Sequence, residues 1–221
     1  MNIQIIEGVA GAQQAKGTAV IIDVLRAATV ASYLLNQGVT SIIPVATPEE
    51  AFEFKQADPT VLLVGEDKGI KIDGFDIGNS PAEIKQLDLF GKTAVHRSSA
   101  GTQGLVNATN AQEIIFGSFV SAKPILEYLR SKNPEEITFV PMYALEDQLF
   151  AEYMQDQLLG KNDITLSDIK SKLMQHEWLL SSFLNPENVH FPEEDFHLCL
   201  ELDVFDFFPV IVDGKIVRNG Q

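Results

Sequence analysis

Between Gly65 and Glu83, nineteen residues carry five carboxylates, four glycines, two lysines and an Asn79-Ser80-Pro81 turn, directly after the apolar run Thr60-Val-Leu-Leu-Val64. A buried strand opening into such a loop is poor packing material and good site material, because loops on a rigid sheet converge polar groups. Carboxylate oxygens are the ligands that hard cations such as Mg²⁺ prefer, so the segment is read as part of a metal-dependent active site. Glu66, immediately after the strand, is its best ligand. Glu83 sits at a capping-box position, and Asp67 and Asp73 read as surface. Asp76-Ile-Gly-Asn79 with Ser80 reads as a tight turn aiming backbone N–H groups at an anion.

Three further groups fall where a strand should end. Asp23 closes Ile21-Ile-Asp23, with Arg26 three residues on. Ligands of open α/β sheets bind outside the carboxyl ends of strands, and this pair could set a metal ligand beside an anion clamp. An Asp23–Arg26 ion pair capping the next helix accounts for it equally well. His96 to Gly104 places Ser98, Ser99 and Thr102, an Arg and two glycines (Gly101, Gly104) between a strand and a helix. That suits an oxyanion cradle, although plain helix capping is the commoner use of such a turn. Glu146-Asp147 opens a helix after a strand, a position where acids are common for dipole reasons alone. Repetition singles these groups out: all fall at predicted strand ends, and they converge on one crevice if those strands are parallel neighbours. No nucleotide-binding glycine fingerprint occurs in the turn after His96. With Leu25 two residues after Asp23, the spacing of Asp-nucleophile phosphatases is absent.

The elements that would hold these groups alternate. Residues 18–23, 41–45, 60–64, 92–96, 113–116 and 136–142 read as strands. Residues 27–37, 101–108, 121–131 and 146–159 read as helices. Two more helices start at Thr47-Pro48 and Ser80-Pro81, where an N-cap hydroxyl, a Pro and a Glu three residues after the cap stand in order. This alternation predicts an α/β sheet covered by helices on both sides. Residues 161–194 turn polar and helical, with the only tryptophan, Trp178, and with Leu166, Ile169, Leu173, His176 and Leu180 near a helical period. The segment is read as a helical insertion or arm of a single domain spanning 1–221; it would serve as a lid, as a homodimer arm or as plain core packing. Strands are expected again at 198–204 and in a hairpin over 209–217 turned at Asp213-Gly214.

The chain sets 16 Lys+Arg against 31 Asp+Glu, a formal charge of −15. Such a balance argues against nucleic acid and anionic membranes as partners. The single cysteine, Cys199, lies in an apolar run, reads as a buried structural thiol and permits no intrachain disulfide. The N-terminus shows no basic, apolar leader, and no apolar run reaches the roughly 18–20 residues that span a bilayer, so a cytoplasmic protein is expected.

Taken in order, Val20-Ile-Ile-Asp-Val-Leu-Arg-Ala-Ala-Thr29, Ile43-Pro-Val-Ala-Thr47, Gly65-Glu66, Ile72-Asp-Gly-Phe-Asp-Ile-Gly-Asn-Ser-Pro-Ala-Glu83, Ser99-Ala-Gly-Thr102, Leu145-Glu-Asp147 and Leu202-Asp-Val-Phe-Asp-Phe207 resemble the 2-phosphosulfolactate phosphatase family, the ComB-like enzymes of coenzyme M biosynthesis. The resemblance implies a three-layer α/β/α fold with a largely parallel or mixed sheet. It also implies Mg²⁺ dependence and hydrolysis of a phosphate monoester, with a small phosphorylated or sulfonated acid as partner. Asp23, Glu66, Glu146 and Asp147 would then supply the metal and water chemistry, while Arg26, Asn79, Ser80, Ser98, Ser99, Gly101 and Thr102 hold anionic groups. Asp23, Arg26, Glu66 and Asp147 are the catalytic candidates, a division of labour inferred rather than dictated by the motif. Three segments depart from the family pattern: Asp67 stands where an anion-binding Arg is expected, Arg97-Ser98-Ser99-Ala100 replaces a Thr-rich stretch, and Met142 to Phe150 is bulkier around Glu146-Asp147. These changes bear on the substrate more than on the fold, and they leave room for a non-catalytic descendant that binds a small anion as sensor or scaffold.

Overall fold

Strand and helix alternate from the first residues of the computed structural model, which describes residues 1–220. In chain order the elements are β1 (Asn2–Ile5), α1 (Gly8–Gln14), β2 (Thr18–Ile22), α2 (Ala27–Asn36), β3 (Ser41–Val45), α3 (Pro48–Ala57), β4 (Leu62–Asp67), β5 (Ile70–Lys71), α4 (Pro81–Ile84) and β6 (Thr93–Arg97). They continue as α5 (Gly101–Asn107), β7 (Glu113–Gly117), α6 (Ala122–Lys132), β8 (Glu136–Pro141), α7 (Leu145–Leu158), α8 (Leu166–Leu173), α9 (Glu177–Phe183), α10 (Glu193–Cys199), β9 (Pro209–Val212) and β10 (Lys215–Arg218). The two helix starts read from the sequence are built as expected: Thr47 Oγ1 accepts from Glu50 N–H and Ser80 Oγ from Glu83 N–H, each ahead of a Pro.

β2 is buried along its whole length and shows why the fold has three layers. Successive side chains of a strand face opposite ways. Ala19 and Ile21 join the core beneath α1, α2 and α5, while Val20 and Ile22 join the one beneath α6 through α10. Helices therefore cover both faces of one sheet, an α/β/α arrangement.

The sheet runs β1-β8-β2-β7-β9-β10-β3-β6-β4-β5. β1, β8, β2 and β7 are mutually parallel, as are β3, β6 and β4. The expected hairpin, β9–β10, lies between the two groups and pairs antiparallel on both flanks. Three successive antiparallel pairings set the two groups running opposite ways. The candidate groups are thus not all on parallel neighbours, the arrangement from which their convergence would have followed directly. Each flank of the hairpin is joined through a single registered pair, Ile115–Val210 and Ile216–Ile42, and the two groups nevertheless meet where Gly101 abuts Asp23. The turn after β6 then reaches the end of β2.

One expected strand is absent. Within 198–204, Leu198 and Cys199 end α10, and no strand forms before Pro209. Three acids in the first turn, Glu193, Glu194 and Asp195, suit the positive end of a helix and outweigh the strand-like apolar run that follows.

Candidate active site

A cavity of about 290 Å³ opens where the ends of β2, β4, β6 and β8 meet, at the small end of the ligand-pocket range. Asp23, Arg26, Glu66, Asn79, Ser99, Glu146 and Asp147 all line it. Ser98 and Thr102 are buried behind the wall. Their hydroxyls and backbone N–H groups bond reciprocally (Ser98 N to Thr102 Oγ1 at 2.9 Å, Thr102 N to Ser98 Oγ at 3.0 Å), which locks the turn that presents Ser99. Ser80 lines a neighbouring cavity that shares Arg26, Gly69 and Asn79 with the first.

The four acids differ in what they already hold. Glu66 accepts the N–H groups of Ser99 at 2.6 Å and Gly69 at 2.5 Å, and the Ser99 hydroxyl at 3.1 Å. Asp147 accepts Val24 N–H at 2.7 Å and Met142 N–H at 3.2 Å, tying the end of β2 to the end of β8. These two brace loops. Asp23 accepts Ala27 N–H at 3.0 Å and is bonded by the Gly101 N–H as well, whereas Glu146 accepts from no other residue among those described. Burial raises the Asp23 carboxyl from 3.8 to about 6, with Glu66 adding repulsion and the Ala27 N–H opposing. Burial raises Glu146 from 4.5 to about 7, with Asp23 adding to it. Asp147 is lifted well above the usual range by burial, then by Glu146 and Asp23. The site thus gathers carboxylates whose ionised forms lack compensation.

Arg26 provides only the smallest part of that compensation to Asp23. Its Nη1 donates to Asp195 Oδ2 at 2.8 Å and to His190 O at 3.1 Å, its Nη2 to Gly69 O at 3.0 Å, and the guanidinium lies 4.8 Å from the Phe191 ring centroid. The Leu25–Arg26 peptide bond is cis. Nε and one Nη2 proton have no protein acceptor among the described residues. Asp195 also accepts Ser80 Oγ at 2.8 Å and Ala82 N–H at 3.0 Å. Sequence reasoning missed Asp195, since nothing in its spacing sets it apart from Glu193 and Glu194. It missed the aromatic wall too: Trp178 and Phe191, from the segment 161–194, line the cavity while Ile169, Leu173, Leu179 and Phe183 of that segment are buried in the core below.

The sequence model for 2-phosphosulpholactate phosphatase matches residues 4–214. Several relatives carry the name "Probable 2-phosphosulfolactate phosphatase", three of them as follows. The protein from Carboxydothermus hydrogenoformans is 34% identical over 217 residues, covering 91% of this chain and 90% of its own. That from Thermoplasma volcanium is 32% identical, covering 90% and 92%. That from Caldicellulosiruptor saccharolyticus is 38% identical over 161 residues, covering 68% and 66%. The chain belongs to the 2-phosphosulfolactate phosphatase family.

Two of the departures from the family pattern compensate each other. Asp67 points away from the cavity to Arg97 Nη1 at 2.9 Å, an ion pair made of two departing residues. The next residue, Lys68, lines the cavity instead, its N–H held by Ser99 Oγ at 2.8 Å, and it enters no ion pair among the described residues. A cation, Lys68, thus stands at the cavity beside Asp67.

Gly101 sets the spacing between the two strand groups. A Cβ there would stand 2.7 Å from Asp23 Oδ2 and 2.8 Å from the Phe116 ring, so only glycine allows the turn after β6 to abut Asp23. Gly101→Ala is expected to displace Asp23, lowering phosphate release at least tenfold and stability by about 1–3 kcal/mol. Parallel activity and urea-unfolding measurements on the one variant check both.

Proposed function

We propose that this chain is a Mg²⁺-dependent phosphoric monoester hydrolase acting on a small phosphorylated hydroxy acid of the 2-phosphosulfolactate type. The observation that carries the reading is the pair Asp23 and Glu146: two buried acids lining one cavity, both lifted above the ordinary carboxylate range, facing a wall of donors formed by Arg26, Lys68 and Asn79. No group of three or more His, Cys, Asp or Glu among the described residues closes into a ready-made metal cage. Mg²⁺ does not need one, because it keeps several waters and is usually held by one or two carboxylates together with substrate phosphate oxygens. The donor set therefore fits Mg²⁺, with Asp23 and Glu146 as the residues that would hold it.

When bound, Mg²⁺ would neutralise phosphoryl charge and acidify a water. The residues do the rest. Lys68 and the uncommitted N–H groups of Arg26 bind anionic oxygens, and the Asn79 amide adds a neutral donor. Glu66 and Asp147 hold the loops from which Ser99 and Glu146 project. Trp178 and Phe191 give the cavity an apolar wall. A cytoplasmic setting is part of the proposal, in keeping with Cys199 as a buried thiol that burial pushes well up. No helix among the described residues is long and apolar enough to cross a membrane.

Phosphate release from phosphosulfolactate and phospholactate, with Mg²⁺ and with EDTA, tests the reading. Chelator-sensitive release from either compound is expected. A second reading, a non-catalytic anion sensor, is favoured by the capture of Arg26 by Asp195. Calorimetric binding of these acids without Mg²⁺, combined with no release from folded protein, would replace the hydrolase with the sensor.

A further inference from the structure

His96 lies on β6 with no exposed surface, and among the described residues it has one polar partner: its Nε2 is 3.1 Å from Asn79 Oδ1, while Nδ1 meets nothing. Asn79 in turn lines both cavities around Arg26. Which way the Asn79 amide faces decides what it offers a ligand, and His96 decides which way it faces.

Two arrangements bring Nε2 and the amide together. In one, Nε2–H donates to Oδ1 and Nδ1 is left as a buried lone pair. In the other, Nε2 accepts from the amide nitrogen and Nδ1–H is left as a buried proton without an acceptor. An orphaned buried N–H is the rarer and costlier defect, so the first arrangement is favoured. Burial with no counter-charge pushes His96 from 6.5 down to about 4, which disfavours the doubly protonated ring near pH 7.

We infer that His96 is a positioning residue for ligand binding: by donating Nε2–H to Asn79 Oδ1, it turns the Asn79 amide so that its Nδ2 protons face the cavity and an anionic ligand oxygen. An uncharged donor has a particular use here. A cation among buried carboxylates is captured by them, as Arg26 is by Asp195, whereas an amide held from behind by a neutral imidazole stays available. The identity of the ligand as a phosphorylated acid rests on the hydrolase reading; the orientation of the amide does not.

Two measurements separate the inference from that reading. Nitrogen-15 NMR of the histidine rings in the wild-type protein at pH 7 should find His96 neutral and protonated at Nε2; protonation at Nδ1 overturns the inference, whatever the protein catalyses. Calorimetric titration with phospholactate supplies the functional arm. His96→Leu should weaken binding about tenfold, a loss typical of one hydrogen bond to a charged group, and His96→Gln, which retains an N–H donor, should restore most of it. The double variant His96→Leu with Asn79→Ala should bind no more weakly than Asn79→Ala alone. Additive losses, or equal losses in the Leu and Gln variants, would show that His96 does not act through Asn79. If His96→Leu does not fold, the Gln variant and the ring-nitrogen measurement still decide. If wild-type protein does not bind phospholactate, the hydrolase reading loses its ligand while the ring-nitrogen result stands.

Discussion

Asp23→Asn is expected to lower kcat/KM toward a small phosphorylated acid by about 10²-fold or more, and yet to raise the thermal midpoint of the metal-free protein at pH 8 by about 5 °C. The opposite signs come from one cause. Burial lifts the Asp23 carboxyl from 3.8 to about 6 and that of Glu146 from 4.5 to about 7, so both groups take up protons on folding. Their contribution to stability is fully present below the unfolded values and is lost as pH rises through about 6 and 7. A shift of about 2 units is roughly 3 kcal/mol for one group. Asn keeps the acceptor for Ala27 N–H and removes the charge, so the variant escapes the penalty but has lost its share of the cation site. Saturating Mg²⁺ should stabilise the wild type and leave Asp23→Asn nearly unmoved, because a ligand stabilises only the state that binds it. His96 works the other way at lower pH, since its folded value of about 4 costs stability as pH falls below 6.5. Between pH 7 and 8 the His96 effect is absent and the carboxylate penalty is fully developed, so the difference between wild type and variant there reads that penalty alone. Thermal scans in EDTA and in Mg²⁺ across that interval, with Glu146→Gln in parallel, provide the check. A variant that melts below wild type in EDTA would mean that the carboxylate is already compensated and that no cation is called for.

The fold was legible because local rules and burial agreed. Thr47-Pro48 and Ser80-Pro81 start helices where their hydroxyls and prolines say they should, and β2 is the buried run that Thr18 to Ile22 spells out. The hairpin at Asp213-Gly214 was legible as a hairpin but not as the piece inserted between two strand groups, since turn chemistry fixes a local reversal and says nothing about which edges it will join. For the same reason a mixed sheet was legible but not the order of its two strand groups, while the placing of Asp23, Glu66, Ser99 and Glu146 at strand ends was. Position at a strand end is visible in sequence; what a carboxylate has already been spent on is not. Glu66 and Asp147 look like Glu146 in a list of acids, and only their backbone partners separate braces from a carboxylate left facing the cavity. Asp67 and Lys68 teach a related lesson. Aligned by position, Asp67 reverses a charge; in space it pairs with Arg97, and the cation facing the cavity is one residue on.

Asp195→Ala is expected to destabilise the protein by about 3–5 kcal/mol, because it leaves the buried Arg26 guanidinium without its counter-charge, and the thermal midpoint should fall by about 10 °C. Asp195 also accepts from Ser80 Oγ and Ala82 N–H, so its loss frees α4 from α10 as well. Asp195→Asn, which keeps an acceptor for those two, should lose less. The sharper comparison is the double variant Arg26→Met with Asp195→Leu. Removing both members of a buried ion pair costs far less than removing one, so its midpoint should recover most of the way to wild type. Affinity should not recover with it. Arg26 has two N–H groups beyond those held by Asp195, His190 and Gly69, and charge-assisted bonds from them to an anionic ligand are lost in the double variant. A KM for phospholactate that stays raised about tenfold in a protein of restored stability would make Arg26 a binding residue that Asp195 holds in place. A KM that returns with the midpoint would make the guanidinium a strut between Phe191, Asp195 and the loop at Gly69, and would leave Lys68 as the cation that meets the substrate.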